Sequence, residues 1–261
     1  MIALRRPVVR LPHPTLIWPI IAAWGIAVLA ELSGRGAALH HDRLIEQGST
    51  PLWVAFVLFL LGWQVMIAAM MLPSSLPLIR LFQRASASQP RARLARTAFL
   101  GGYVAVWTAF GALAFLGDIG IHRAVDRIWW LHESPYLIGG AVLLLAGTFQ
   151  FSGLKERCLD QCRHPGAYLQ RRYRRGVGAA FRLGRGHGLF CLGCCWALML
   201  VSFAAGIANL TWMAVLTLLM VFEKTGKGGN RAAEPIGFGL IVLGVLVLWD
   251  PGWLPTLFAA H

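Results

Sequence analysis

The chain alternates between long apolar runs and short polar connections. Seven apolar runs can be drawn, at residues 16–32, 52–72, 97–116, 136–151, 189–205, 210–222 and 236–249. A helix needs roughly 20 apolar residues to cross the hydrocarbon core of a bilayer, and apolar runs near that length are typical of membrane spans. The pattern predicts an all-α, polytopic transmembrane helical bundle of about seven spans, or six if the first run is a cleaved signal peptide.

The fifth and sixth apolar runs are close enough in sequence to be mistaken for one helix. A single helix over residues 189–222 would be about 50 Å long at 1.5 Å per residue, which far exceeds the hydrocarbon thickness. We therefore predict a helical hairpin that turns at residues 206–209. Residues 1–261 are expected to form a single membrane domain, and its longest polar connection, residues 152–186, is expected to be a basic cytoplasmic loop.

Composition agrees with a membrane protein and excludes an ordinary soluble domain. Hydrophobic residues make up 57% of the chain and charged residues only 13%. A net charge of +13 would suit a nucleic-acid-binding protein, but such a protein needs its basic residues on one soluble face. Here they form short blocks between apolar runs, so the expected partner is the lipid bilayer, and no nucleic acid is expected.

The basic residues also predict an orientation. Of the 24 Lys and Arg residues, 20 fall before the first run or in every second connection after it, and the other four fall in the remaining connections. Cytoplasmic loops of membrane proteins are enriched in Lys and Arg. The N-terminus is therefore predicted to be cytoplasmic and the C-terminus to lie outside.

Cysteine is concentrated near the predicted cytoplasmic face. The stretch LFCLGCCWALML at residues 189–200 carries three of the five cysteines, Cys191, Cys194 and Cys195, and the motif CLDQC just before it carries Cys158 and Cys162. The predicted topology places all five toward a reducing compartment, where disulfides are disfavoured. Thiol chemistry or metal binding is the expected role.

Helix geometry places the three cysteines of the fifth run together with His187. At about 100° per residue, all four side chains fall within one arc of about 100°. Three thiols and an imidazole suit Cu(I), and they also suit Zn(II) if the ligands close into a tetrahedron. Because one helix cannot easily enclose an ion, we expect Cys158 and Cys162 to supply further ligands.

Methionines at the end of the second run favour copper over zinc. The segment MIAAMMLPSSLP at residues 66–77 places Met66 and Met70 one helical turn apart. A thioether is a good Cu(I) ligand and a poor Zn(II) ligand, so Met70 is predicted to be a weaker additional ligand. Pro73 is expected to bend or end this helix and so leave polar groups free to form a pocket.

Two other functions fit the same cysteines. A membrane thiol oxidoreductase could use Cys191 and Cys194 as its redox pair, although redox cysteines are usually accessible and Cys194 lies inside an apolar stretch. A structural assembly subunit could use the thiols only as small apolar side chains. Glu223 and Lys224, at the end of the sixth run, are interpreted as an interfacial ion pair.

Five segments together resemble a bacterial family of predicted metal-binding integral membrane proteins, a domain of unknown function whose members are sometimes labelled copper chaperones. The segments are MIAAMMLPSSLPLI, GGYVAVWTAFG, GTFQFSGLKERCLDQCRHP, GLFCLGCCWALMLVSFAAGIANLTWM and EK at residues 223–224. The resemblance covers roughly residues 55–245 and implies a location in the bacterial inner membrane. It makes these positions functional candidates: Met70, Met71, Pro73, Gln150, Lys155, Cys158, Cys162, Cys191, Cys194, Cys195 and Glu223.

The residues and the resemblance lead to one favoured hypothesis. The protein is expected to hold a metal ion, Cu(I) in preference to Zn(II), between the fifth span and the loop before it. It would receive the ion from a metal-donor protein or pass it to a metal-acceptor protein by thiol exchange. Metal handling is favoured over catalysis.

Overall fold

The computed structural model describes residues 14–33, 51–134, 136–204, 209–250 and 252, and the regular structure within these residues is helical, without strands. The helices are α1 Pro14–Leu32, α2 Leu52–Met70, α3 Leu72–Ala85, α4 Ala92–Arg127, α5 Trp129–His132, α6 Tyr136–Phe149, α7 Gly153–Arg163, α8 Pro165–Arg172, α9 Val177–Ala204, α10 Leu210–Thr225 and α11 Gly229–Trp249. The prediction of an all-α protein is confirmed over this part of the chain.

Each of the seven predicted apolar runs corresponds to a helix, namely α1, α2, α4, α6, α9, α10 and α11. Among the described residues, four helices are long and apolar enough to cross a membrane: α2, α4, α9 and α11. Helices α6 and α7, which meet at a bend of 65°, make a fifth candidate if they form one broken span. By length and composition, the described residues therefore contain four to five candidate membrane spans, as expected of a membrane protein.

The predicted hairpin between the fifth and sixth runs agrees with the helix ends on either side of it. Helix α9 ends at Ala204 and α10 begins at Leu210. Asn209 caps α10, since its side chain accepts a hydrogen bond of 3.1 Å from the backbone N–H of Trp212. Residues 206–208 of the predicted turn, like the N-terminal arginines used for the orientation, lie outside the described residues.

The connection predicted as a loop at residues 152–186 is largely helical. Ser152 caps α7 by accepting a hydrogen bond of 3.2 Å from the backbone N–H of Lys155. Pro165 starts α8, where its missing N–H is not needed. Helix α9 begins 12 residues before the apolar run although residues 177–188 contain four glycines, so its first turns depend on close packing against α4 more than on helix propensity.

The chain breaks at the methionine and proline segment, as Pro73 predicts. Helix α2 ends at Met70 and α3 begins at Leu72, with Pro73 in the first turn of α3. Met71 lies between the two helices. The break therefore directs a thioether and the serines of the first turn of α3 toward the interior.

Helix α9 is the central helix of the structure. It packs along α4 and also contacts α6, α7 and α10. Glycines make the contact with α4 close: a Cβ atom on Gly184 would overlap the carbonyl of Phe99, and one on Gly102 would lie 2.8 Å from the backbone nitrogen of Arg185. This close approach brings Tyr103, which follows Gly102, against the cysteines of α9.

Candidate metal centre

The five cysteines lie together in the interior. Cys191, Cys194 and Cys195 on α9 are each 1% exposed, and Cys158 and Cys162 on α7 are 7% and 8% exposed. All five are free thiols. We call these five side chains the sulfur cluster.

Helices α7 and α9 meet at Gly193, and this contact brings their thiols together. A Cβ atom at position 193 would lie 2.6 Å from the sulfur of Cys158, so a residue larger than glycine would push α7 away. One turn further along α7, Cys162 belongs to the same buried cluster as Cys194. Sulfur atoms from two separate segments of the sequence therefore adjoin each other.

The thiols of α9 are hydrogen bonded within their own helix. Cys194 Sγ and Cys195 Sγ both donate to the carbonyl oxygen of Cys191, at 3.1 and 2.8 Å. Within the described residues, no three His, Cys, Asp or Glu side chains converge in a geometry that would hold a metal ion. The sulfur atoms of the cluster are soft donors that lie close together. To bind one ion jointly, the thiols of Cys194 and Cys195 must rotate away from the Cys191 carbonyl oxygen.

The thioether that contacts the sulfur cluster belongs to Met71. Cys195 Sγ lies 3.7 Å from Met71 Sδ. Met70 is also fully buried, but its sulfur lies 3.9 Å from the hydroxyl of Ser202, further along α9. The break between α2 and α3 explains this difference, because it turns Met71 inward at the level of the cysteines.

His187 is linked to the sulfur cluster through two hydroxyl groups. Its Nε2 lies 3.2 Å from Ser75 Oγ, and Ser75 Oγ donates to Tyr103 Oη at 3.2 Å. The hydroxyl of Tyr103 in turn lies 3.3 Å from Cys191 Sγ. The imidazole also stacks on the Tyr103 ring, with centroids 5.6 Å apart. His187 is therefore placed to orient Tyr103 against Cys191.

Lys224 brings a positive charge to the sulfur cluster. Its side chain is 4% exposed, and Nζ lies 3.2 Å from Cys191 Sγ, 3.8 Å from Cys195 Sγ and 3.3 Å from Ser74 Oγ. A buried ammonium without a compensating negative charge is costly. Among the described contacts of Nζ, only the cysteines can carry a compensating negative charge, which they would do as thiolates.

Glu223 pairs with Lys155. Lys155 Nζ donates to both carboxylate oxygens of Glu223, at 2.9 and 2.8 Å, and both side chains are 1% exposed. The predicted interfacial pair between Glu223 and Lys224 is therefore wrong. Adjacent residues on a helix point about 100° apart, so the two side chains face different partners.

Arg163 strengthens the same junction. It donates to the carbonyl oxygen of Glu223 and, at 3.0 Å, to that of Gly226. Lys155 and Arg163 both belong to α7, which also carries two members of the sulfur cluster. These contacts fasten α7 to the end of α10 and so fix its thiols relative to those of α9.

A family model described as "PpoB2: Copper chaperone" matches residues 60–247. The chain belongs to the PpoB2 copper chaperone family. The match contains the whole sulfur cluster, the lysine beside it and the buried ion pair, and it confirms the resemblance found for residues 55–245. No curated protein and no solved structure matches the chain significantly.

Several residues that surround the sulfur cluster in this PpoB2 family member were difficult to recognise as site residues from the sequence. Lys224 was visible only as a charge at the end of an apolar run. Tyr103, Ser74 and Ser75 are ordinary helix residues until α3 and α4 pack against α9. Met71 was distinguishable from Met70 only through the position of the helix break.

Proposed function

We propose that the protein carries Cu(I) as cargo in the sulfur cluster and exchanges it with a metal-donor or metal-acceptor protein through its thiols. The observation that carries this proposal is the meeting of five buried thiols from two segments beside a buried ammonium. Copper chaperone, the description of the family, agrees with it. Cys158, Cys162, Cys191, Cys194 and Cys195 are the proposed ligands.

Charge balance favours Cu(I) over Zn(II). A Cu(I) ion held by two thiolates forms a complex with one negative charge, and the ammonium of Lys224, 3.2 Å from Cys191 Sγ, neutralises it. A tetrahedral Zn(II) site needs four converging ligands, whereas two thiols suffice for Cu(I). The thioether of Met71 beside Cys195 also favours Cu(I), since thioethers are soft donors.

Two residues predicted from sequence as ligands take modified roles in this proposal. Met71 replaces Met70 as the proposed weak thioether ligand, because Met71 Sδ contacts Cys195 Sγ. His187 acts on Cys191 through Ser75 and Tyr103, so it positions a ligand and does not bind the ion itself.

Metal analysis of the purified protein tests the proposal. After loading with Cu(I) under reducing conditions, wild-type protein is expected to retain copper. Cys191→Ser and Cys194→Ser are each expected to weaken retention about tenfold or more, because even outer contacts of metal sites contribute that much. Leu189→Ser is the matched control, since it adds a serine to the same helix at a position 54% exposed. Wild-type protein that retains no copper would contradict the proposal.

The thiol oxidoreductase remains the alternative function, and burial argues against it. Cys191 and Cys194 are each 1% exposed, so a partner's disulfide could reach them only if the bundle opened. Loading by a free ion needs a much smaller opening, whereas transfer of the ion to a partner's thiols also requires the sulfur cluster to open. Trapping the thiols of the same samples with and without reductant separates the two functions. A Cys191–Cys194 disulfide that forms and is reduced again, in protein that works without metal, would favour the oxidoreductase.

We also propose that all seven apolar helices span the bacterial inner membrane, with the N-terminus in the cytoplasm. The alternation of basic residues supports this orientation. It places the sulfur cluster near the cytoplasmic face, where thiols stay reduced. A reporter that is active only outside the cytoplasm should work when fused after residue 261 and fail when fused at Lys227; the reverse pattern would rule out this orientation.

A further inference from the structure

A second site lies at the junction of α8 and α9, apart from the sulfur cluster. A pocket of about 240 Å³ opens there, and Tyr168, Arg172, Arg174, Ala179, Arg182 and Leu183 line it. Three of these six residues are arginines, and no Asp or Glu belongs to the lining that the structure describes. The pocket therefore concentrates positive charge that its own walls do not balance.

One of the three arginines, Arg172, is held in place by contacts between α8 and α9. Arg172 lies over the rings of Tyr168 and Phe190, with Cζ at 5.2 and 5.0 Å from the two ring centroids. Tyr168 donates from its hydroxyl to the carbonyl oxygen of Leu183 at 3.0 Å and is 2% exposed. The pocket therefore has a fixed floor, and Arg174 and Arg182 stand exposed at its rim.

The charge of the pocket is not offset by its tyrosine. Burial raises the pKa of Tyr168 to about 12, so its hydroxyl stays neutral at physiological pH. Ala179 lies in the first turn of α9, where backbone N–H groups lack partners within the helix and the helix dipole favours an anion. The arginine side chains and the backbone N–H groups at the start of α9 therefore both favour a negatively charged ligand.

The pocket lies close to the point on α9 where the predicted membrane-spanning run begins. Arg182 lies seven residues, or about 10 Å of helix, before Leu189, where the continuous apolar run begins. Leu189, on the same face of α9 as Arg182, is 54% exposed, and Phe181, on another face of the helix, is 39% exposed. A charged pocket next to exposed apolar side chains at the end of an apolar run matches the level of lipid headgroups.

We propose that this pocket binds a phosphate group, and specifically the headgroup of an anionic phospholipid. Arginine is suited to phosphate because its planar guanidinium can donate two parallel hydrogen bonds to the phosphate oxygens. The acyl chains of the lipid would lie along the exposed apolar surface at Leu189, on the face of α9 that carries Arg182. Free phosphate offers the same chemistry without the apolar contact.

Lipid binding by the full-length protein in detergent tests this proposal. Native mass spectrometry would follow titration with phosphatidylglycerol, phosphatidylcholine or inorganic phosphate. The double variant Arg174→Gln and Arg182→Gln is expected to bind phosphatidylglycerol at least about tenfold more weakly than wild type, since loss of even one charge-assisted hydrogen bond to the phosphate weakens binding roughly tenfold. Arg172 is left intact because it packs against two rings.

The matched control removes the same charge from outside the pocket. Arg171 and Arg175 are exposed neighbours that do not line it. The double variant Arg171→Gln and Arg175→Gln is expected to bind phosphatidylglycerol within about twofold of wild type. Equal weakening by both double variants would mean general attraction to basic residues and would overturn the proposal, as would undiminished binding by the pocket variant.

The titrations with phosphatidylcholine and inorganic phosphate test whether the phosphate group that binds belongs to an anionic lipid or to free phosphate. Phosphatidylcholine and inorganic phosphate are expected to bind at least about tenfold more weakly than phosphatidylglycerol, because one lacks net negative charge and the other lacks apolar chains. Inorganic phosphate that binds as tightly as the lipid, and only when the pocket is intact, would support the phosphate site and overturn its assignment to lipid.

Discussion

Replacing Lys224 by methionine is expected to weaken Cu(I) binding by about two to three orders of magnitude. The ammonium lies 3.2 Å from Cys191 Sγ and 3.8 Å from Cys195 Sγ, and a unit charge at about 4 Å contributes about 4 kcal/mol near a protein surface. Without it, a copper dithiolate would leave one negative charge buried and unbalanced. The measurement is competition for Cu(I) between the purified protein and a chelator of known affinity.

Two further variants give the Lys224 experiment its controls. Lys224→Arg keeps the charge and should keep most of the affinity. Lys227→Met removes an exposed lysine three residues later and should leave the affinity within about twofold of wild type. Copper binding by Lys224→Met as tight as that of wild type would refute the charge-balance argument.

Replacing Lys155 by methionine is expected to lower the free energy of unfolding by about 3–5 kcal/mol. The substitution leaves the carboxylate of Glu223 buried without its partner, and breaking a buried ion pair from one side has a cost of this size. Because Lys155 also fastens α7 to α10, the variant should lose copper retention together with stability. Thermal or denaturant unfolding in detergent measures the loss.

The double variant Lys155→Met and Glu223→Met tests whether the unpaired carboxylate of Glu223 causes the loss of stability. Replacing both charges with apolar side chains of similar volume removes the uncompensated carboxylate, so most of the lost stability should return. Arg157→Met, an exposed position on the same helix, should change stability by less than about 0.5 kcal/mol. A double variant as unstable as the single one would show that the carboxylate is not the cause.

The sequence was sufficient where local periodicity decides structure. The apolar runs located seven helices because a helix that lies in an apolar environment carries few polar residues along its length. The spacing of Cys191, Cys194 and Cys195 placed them on one helical face, and all three are buried in the same interior. Pro73 marked a helix break because it lacks a backbone N–H.

The sequence was insufficient where contacts between distant segments decide. Lys155 and Glu223 are 68 positions apart, and their pairing depends on how α7 packs against α10. The inward direction of Met71 depends on the angle between two helices. Helices α7 and α8 were interpreted as a loop because their polar residues give them no apolar run, although the Ser152 cap marks the start of α7 and Pro165 in the first turn marks the start of α8.

Burial of the sulfur cluster also determines how the thiols meet peroxide. Conversion of a cysteine to a sulfenic acid requires a thiolate that the oxidant can reach, and no member of the cluster is more than 8% exposed. A thiolate stabilised by a neighbouring ammonium would be vulnerable on a surface, but here neighbouring helices cover it. The same packing that gathers the sulfur atoms would therefore also protect a metal-free cluster from oxidation.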